Sequence, residues 1–336
     1  VALEAMRRAL AAAIRVVTRA RISARAYNFG RRVLPPRARL WARTVVLRRP
    51  ARRTGFESLL RFPADGSPAP VVVSEGAGAT PLSRSASIVI VTYNNERLTE
   101  LCLESVRTFT AHPNVEVIVV DNASSDGTPE AVAAMQAAHP RLRLIRNSEN
   151  RGFAAATNQG LVASSGEVLV LLNNDTVVTR GWLNGLVRHL AADRSIGMVG
   201  PVTNASGNES CIEVDYRSLD EMHAFAGAYG RAHAGEMRAL PMLSMFCVAI
   251  RRDVFERVGL LDERFGIGMF EDDDYAWRVR ALGYRCVCVE DVFVHHFGRS
   301  AFKGLDAASY DALFERNRRL FEDKWHTVWE RHAVRR

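Results

Sequence analysis

Four clusters in this 336-residue chain have residue types and spacings suited to chemistry. Asp121 ends the apolar run Val115–Val120. From there a carboxylate can accept hydrogen bonds from a base or a ribose, or simply cap the turn formed by residues 123–128. Asn173, Asn174 and Asp175 follow a second apolar run, Val168–Leu172. A carboxylate at a strand end beside a phosphate is a ready site for Mg²⁺ or Mn²⁺, hard ions that take oxygen ligands; the plain alternative is an Asn-rich turn. Glu271-Asp-Asp-Asp274 follows the Gly-rich stretch 265–270. Four adjacent acids repel one another, and a helix start relieves this by less than about 1 kcal/mol per charge. They form either a solvated acidic cap or a general base whose pKa is raised by its neighbours. His295-His296 closes the apolar run Val287–Val294. Successive strand residues face opposite sides, so at most one of the two histidines points into a given site.

The elements that must position these clusters alternate. Strand patterns at 87–92, 115–120, 142–145 and 167–172 are separated by helical patterns at 98–109, 129–138 and 153–164. Thr128-Pro129 is a helix start signal. This order predicts a doubly wound, largely parallel sheet, on which ligands bind beyond the carboxyl ends of strands. The polar clusters Thr92-Tyr93-Asn94-Asn95, 121–126, 150–152 and 173–175 all fall at such ends. No GxGxxG follows the first strand, which argues against a dinucleotide domain. GxxxxGK(S/T) and GxSxG are also absent, which argues against P-loop and serine-hydrolase chemistry.

Charge is distributed unevenly. Residues 1–53 hold 15 arginines and one acid, Glu4, for a net +14; the other 283 residues hold 30 bases and 36 acids, for a net −6. The overall +8 therefore describes a basic arm on a mildly acidic body, which excludes a uniformly basic nucleic-acid-binding domain. Leu3, Met6, Leu10, Ala13, Ile14 and Val17 form a helical stripe opposite Arg8, Arg15 and Arg19, ending at Pro35-Pro36. A basic amphipathic helix suits an anionic membrane surface or packs on a protein. Residues 62–86 have linker composition. Arginines interrupt the first apolar stretch and no run approaches membrane-span length, so neither a signal peptide nor a span is expected. Five scattered cysteines without a CxxC pair suggest a reducing compartment.

Taken together, the segments 87–95 (SIVIVTYNN), 119–128 (VVDNASSDGT), 150–160 (NRGFAAATNQG), 171–176 (LLNNDT), 270–278 (FEDDDYAWR) and 295–301 (HHFGRSA) resemble family 2 glycosyltransferases of the GT-A fold. The resemblance is to the bacterial branch with rhamnosyl- and galactofuranosyl-transferase-like members, which 317–325 (NRRLFEDKW) also matches, and it covers about 86–330. Charge and composition set apart a basic helical arm (1–61) and a linker (62–86), and the resemblance implies a GT-A domain with a mostly parallel mixed sheet between helices (87–300) and a C-terminal helical extension (301–336). The implied activity is inverting transfer of a sugar from a nucleotide-diphosphate donor to a hydroxyl of a cell-surface glycan or lipid-linked acceptor, in polysaccharide or cell-wall biosynthesis. Localisation would be cytoplasmic, with residues 1–53 touching the inner membrane face. Thr92, Tyr93, Asn94 and Asp121 would hold base and ribose; Asn150, Gly152 and Asn158 would lie near the nucleotide and diphosphate, with Asn173 and Asn174 on the donor side too. Asp175 matches the last acid of the family's metal-binding Asp-x-Asp, whose first position here is Asn173, and His296, before His295, matches its metal-ligating histidine; the cation would be Mg²⁺ or Mn²⁺. Asp272 matches the catalytic base, with Glu271 beside it, and Asp274 and Trp277 would face the acceptor. For Trp277 and Tyr275, helix packing is the competing reading. Alternatives for the whole are a sugar-phosphate nucleotidyltransferase and a non-catalytic carbohydrate-binding module.

Overall fold

A computed structural model describes residues 84–110, 112–298 and 306–335. The expected arm and nearly all of the expected linker lie outside these residues. Strand β1 (Ala86–Thr92) is followed by α1 (Glu96–Phe109), β2 (Val115–Asp121), α2 (Thr128–Ala138), β3 (Leu142–Arg146), α3 (Phe153–Val162) and β4 (Val168–Asn173). Then come β5 (Thr176–Val177), α4 (Trp182–Ala192), β6 (Ile196–Val202), α5 (Leu219–Ala232), β7 (Met237–Leu240), β8 (Cys247–Arg251) and α6 (Arg252–Val258). A 3₁₀ turn at Glu263–Phe265 precedes α7 (Glu271–Ala281), β9 (Arg285–Phe293), β10 (His295–His296) and α8 (Ala307–Trp325). The expected βαβαβαβ order is present, with boundaries shifted by a few residues.

Eight strands form one sheet in the order β3-β2-β1-β4-β8-β6-β9-β7. The pairs β3-β2, β2-β1, β1-β4 and β6-β9 are parallel, while β8 runs against β4 and β6 and β7 against β9. The sheet is thus mixed and mostly parallel. Its central strands are buried on both faces, as their unbroken apolar runs require: every residue of β6 and β8 is buried. Register matters for the site. Thr92 pairs with Asp121, and Val91 with Asn173, so the polar ends of β1, β2 and β4 lie side by side at one edge. The short antiparallel pair β5-β10 sets His296 opposite Thr176, and so beside Asp175.

Helix α3 is built from small residues because it lies close to the sheet. A methyl group added at Gly160 would stand 2.3 Å from Val89 Cγ1. At its other end Gly152 has φ +82°, and an added Cβ would come within 2.2 Å of the Gly266 carbonyl. Only glycine accepts both the left-handed backbone and that approach. The consequence is that the Gly-rich loop before α7 rests on the start of α3.

Candidate active site

The loops after β1 and β2 interlock. Asn94 and Asn95 both have positive φ, which short polar side chains tolerate. The Asn94 amide donates to Ser124 Oγ at 2.8 Å, and Asn94 Oδ1 accepts from the Ser125 amide at 2.8 Å. Thr92 Oγ1 donates to Asp121 Oδ1 at 3.2 Å, with both side chains buried. Tyr93 stands out from this rim, 43% exposed. Asn122, which the sequence reading did not single out, is the hub. It is buried, its Nδ2 donates to Asn150 Oδ1 (2.7 Å) and the Gly152 carbonyl (3.2 Å), and its Oδ1 accepts from Asn147 Nδ2 and the Arg151 amide, each at 3.0 Å. Asn150 also accepts from the Gly152 amide at 2.9 Å. One amide side chain therefore holds the loop that precedes α3. A lone asparagine after a strand carries no sequence signal for that duty.

Asn158 differs from expectation. It is buried, and its side chain is spent on the 261–263 loop: Nδ2 donates to the Leu261 carbonyl (3.0 Å) and Glu263 Oε1 (2.9 Å), and Oδ1 accepts from the Leu261 amide (2.9 Å). It fastens α3 to that loop and offers no polar atom to a donor. Asn174 Nδ2 donates to Thr99 Oγ1 at 2.9 Å, and the Asn173 amide donates to the Phe246 carbonyl at 2.8 Å, so both brace the end of β4.

Asp175 and His296 meet. Asp175 is 2% exposed, and its Oδ1 lies 3.2 Å from His296 Nε2. His296 is placed from three sides. Its Nδ1 lies 2.9 Å from the Ala205 carbonyl, Asn204 bonds its backbone amide (2.9 Å) and carbonyl (3.0 Å), and the Phe246 ring stacks on the imidazole with centroids 5.0 Å apart. The Ala205 contact fixes the proton on Nδ1 and turns Nε2 toward Asp175. Burial opposes a positive charge on this ring, but the Asp175 carboxylate prevails and holds its pKa above the ordinary histidine value. His295 faces the other way, as strand alternation demands. It bonds the Tyr216 hydroxyl through Nδ1 and packs against Phe297, and burial pushes its pKa down to about 3. The expectation that His295 shares the metal site is therefore corrected: its ring belongs to the core on the opposite side.

The four acids of α7 fall into two kinds. Asp274 is fully buried and neutralised by Arg278 Nε (3.0 Å) and Lys324 Nζ (2.6 Å), with Trp325 Nε1 donating at 2.9 Å. Asp273 accepts from Trp329 Nε1 (3.0 Å) and pairs with His332 Nε2 (2.7 Å). Among the described residues no cation is bonded to Glu271 or Asp272. Glu271 Oε2 is buried without a hydrogen-bond partner among them, and Asp272 Oδ1 accepts the adjacent Asp273 amide at 3.0 Å. Burial, and then repulsion from the next acid along the helix (Asp272 for Glu271, Asp273 for Asp272), raise both carboxyls well above the carboxylate range. A solvated cap is thereby set aside. So is an acceptor-side place for Asp274, whose oxygens are all engaged inside the protein.

Trp277 is likewise corrected. It packs between helices, 5.9 Å from the Phe321 ring and 5.5 Å from Trp325 of α8, with Arg280 over its face at 5.5 Å. Tyr275 is fully buried, which is the packing alternative. The turn that delivers Glu271 is strained: Met269 and Phe270 have φ +77° and +74°. Asn317 of α8, itself fully buried, pins it by donating from Nδ2 toward the carbonyls of Phe265 (2.8 Å), Gly268 (2.9 Å) and Met269 (3.1 Å). Because Gly152 touches Gly266, and the Phe153 amide reaches the Ile267 carbonyl at 3.4 Å, the acid-bearing turn adjoins the loop organised by Asn122. A cavity of about 650 Å³ between α4, α5 and the end of β9 contains none of these residues.

The mixed, mostly parallel sheet with polar ends on β1, β2 and β4 is the fold of GT-A glycosyltransferases. The family model described as glycosyl transferase family 2 matches residues 87–259, and the chain belongs to that family. The nucleotidyltransferase alternative is thereby set aside. Among relatives, N-acetylglucosaminyl-diphospho-decaprenol L-rhamnosyltransferase of Mycobacterium tuberculosis is 29% identical over 276 residues, 74% of this chain and 87% of the relative. The uncharacterized protein y4gI of Sinorhizobium fredii is 27% identical over 268 residues; the match covers 74% of this chain but only 28% of that longer protein. Among solved structures, the mannosyltransferase PcManGT of Pyrobaculum calidifontis, in complex with GDP-Man and Mn²⁺, is similar with 25% identity and a TM-score of 0.52, over 75% of this chain and 67% of that one.

Proposed function

We propose that this protein transfers a sugar, with inversion, from a nucleoside-diphosphate donor to a hydroxyl of a saccharide or lipid-linked saccharide, with Asp272 as the base. The observation that carries this reading is the sorting of the acids on α7. Two are neutralised by cations, and the two that are not stand on the turn that adjoins the donor-side loop. Inversion is one displacement at the anomeric carbon, during which the acceptor hydroxyl loses its proton. A carboxylate with a raised pKa accepts that proton efficiently near neutral pH.

The donor side is assigned to the loops at the ends of β1, β2 and β4. Asp121 and Thr92 share one hydrogen bond and leave carboxylate lone pairs for base or ribose, Asn94 shapes the rim beside exposed Tyr93, and the loop of Asn150 and Gly152, held by their mutual hydrogen bond, is assigned to the diphosphate side. Asp175 and His296 suit a divalent cation: a buried carboxylate oxygen and an imidazole nitrogen converge, and the other ring nitrogen is already committed. Such a cation, Mg²⁺ or Mn²⁺, would supply charge for the leaving diphosphate. Among the described residues no group of three or more His, Cys, Asp or Glu side chains could hold a metal, so the donor's own oxygens would complete the shell. The similar mannosyltransferase was solved with Mn²⁺, which supports the same choice here.

Asp272→Asn is the test. Transfer, measured with a panel of nucleotide sugars in Mg²⁺ or Mn²⁺ and then with chelator, should fall on the order of a hundredfold or more, while nucleotide binding by calorimetry stays close to the parent's. Full activity in the variant removes the base assignment. We further assign residues 1–61 to a basic arm, and 1–53 within it to peripheral contact with anionic lipid at the cytoplasmic face, the place where a lipid-linked acceptor is met. The supporting facts are the net +14 of those residues and the lipid-linked substrate in the name of the mycobacterial relative.

A further inference from the structure

The acids of α7 are met from the far end of the chain. After α8 the backbone turns at His326, with φ +49°, and runs back over the start of α7. This segment is held at several points. The Trp329 amide donates to Glu322 Oε1 (3.0 Å), and its indole packs on Phe270 and Phe314 with centroids 5.2 and 5.5 Å away. Trp329 Nε1 donates to Asp273 Oδ1, and Arg335 bonds Glu290 at 2.6 Å and the Glu209 carbonyl. Between these anchors, His332 Nε2 lies 2.7 Å from Asp273 Oδ1, both side chains being mostly buried.

We propose that His332 is a positioning residue of the active site: its imidazolium, bonded to Asp273, keeps the neighbouring Asp272 ionised at lower pH, so the C-terminal segment sets the range over which the base works. The inference rests on the reading of Asp272 as the base.

The charge inventory supports this assignment. Asp272 faces Glu271 and Asp273 on its own helix and His332 on the tail. Other nearby cations are engaged elsewhere. Arg278 and Lys324 serve Asp274, Lys324 also pairs with Asp262, and Arg318 is held by Glu315 and Glu322. Arg280 lies over Trp277 and opposes the charge on His332. Burial also opposes that charge, but the carboxylates of Asp273 and Asp272 outweigh both and raise the imidazole pKa above its usual value. With His332 charged, Asp273 belongs to a neutral pair and repels Asp272 less. Without it, three adjacent carboxylates crowd one helical turn, and the base protonates more readily.

The test uses the full chain. In His332→Gln, which keeps a polar side chain and loses the charge, the acid limb of the kcat/KM profile should move up by about 0.5–1 pH unit. At a fixed pH below the limb, the rate should fall roughly three- to tenfold. The plateau at higher pH and the donor KM should stay near the parent values. His332→Lys, which restores a cation, should return the limb toward its original place. Independently of activity, the imidazole ¹³C resonance lost in His332→Gln should titrate above the ordinary histidine range in the parent and lower in Asp272→Asn, because the coupling is reciprocal. An unmoved limb in His332→Gln, a uniform loss at all pH values, or a resonance indifferent to Asp272→Asn overturns the proposal. Retained transfer by Asp272→Asn is instead the failure of the base reading, and the two outcomes are read in separate variants.

Discussion

Glu271 and Asp272 stand where a carboxylate is costly, and that cost gives them a use. Because burial and repulsion raise both folded pKa values, the folded protein binds more protons here than the unfolded chain does. The stabilising contribution of the pair is thus present below the unfolded carboxylate pKa and lost as pH rises through the folded values. In Glu271→Gln folding no longer requires the ionised glutamate of the unfolded chain to take up a proton. Its Tm should exceed the parent's by about 2–4 °C at neutral pH, and the gain should vanish below about pH 4, where the unfolded glutamate is protonated as well. Scanning calorimetry at the two pH values decides this; an equal gain at both would mean the carboxylate charge was not the cause. At this scale the sequence shows that four acids are adjacent but not that they differ. The cations that separate them, Lys324 and His332, lie about 50 and 60 residues further along the chain.

Among elements, α8 determines the shape of the acid-bearing turn. Three carbonyls of the 265–269 turn point inward at Asn317, and a left-handed pair of non-glycine residues persists there because the surroundings hold it. Asn317→Ala leaves these carbonyls without their donor and should cost about 1–3 kcal/mol in urea unfolding. It should also lower kcat more than donor KM, since the donor-side loop depends on Asn122 rather than on α8. An unchanged unfolding midpoint would show the clamp to be dispensable. The helix itself was legible as a C-terminal extension, but Asn317 reads there as one more polar residue on an exposed helix. Only the packing of Phe321 and Phe314 against Phe270 reveals that its face is inward.

Across the whole molecule charge is split, with a net +14 on residues 1–53, the proposed arm, and a net −6 on the other 283. No helix among the described residues is long and apolar enough to cross a membrane. If the arm makes the membrane contact, binding follows its charge: each arginine near an anionic surface contributes about 1 kcal/mol, and salt screens it. Deleting residues 1–60 should then abolish co-sedimentation with phosphatidylglycerol-containing vesicles, while donor hydrolysis stays within about twofold of the full chain. Raising ionic strength should release the intact protein in the same way. Equal vesicle binding by the truncated protein would assign the arm to a protein contact.

The alternation of strands and helices, the polar clusters at the ends of β1, β2 and β4, and the family itself were all readable in the sequence, because hydrophobic periodicity and strand-end placement are local properties. The choice of His296 over His295 was half readable, since alternation allows only one to face a given side. Which one faces Asp175 was settled by the pairing of β5 with β10. Asn158, Asp274 and Trp277 belonged to the expected site by the family resemblance and to the scaffold by structure, because their partners come from the 261–263 loop and α8. A side chain's charge state and freedom depend on what packs against it. For the acids of this site those neighbours come from α8 and the C-terminal segment, which only the tertiary fold brings to α7.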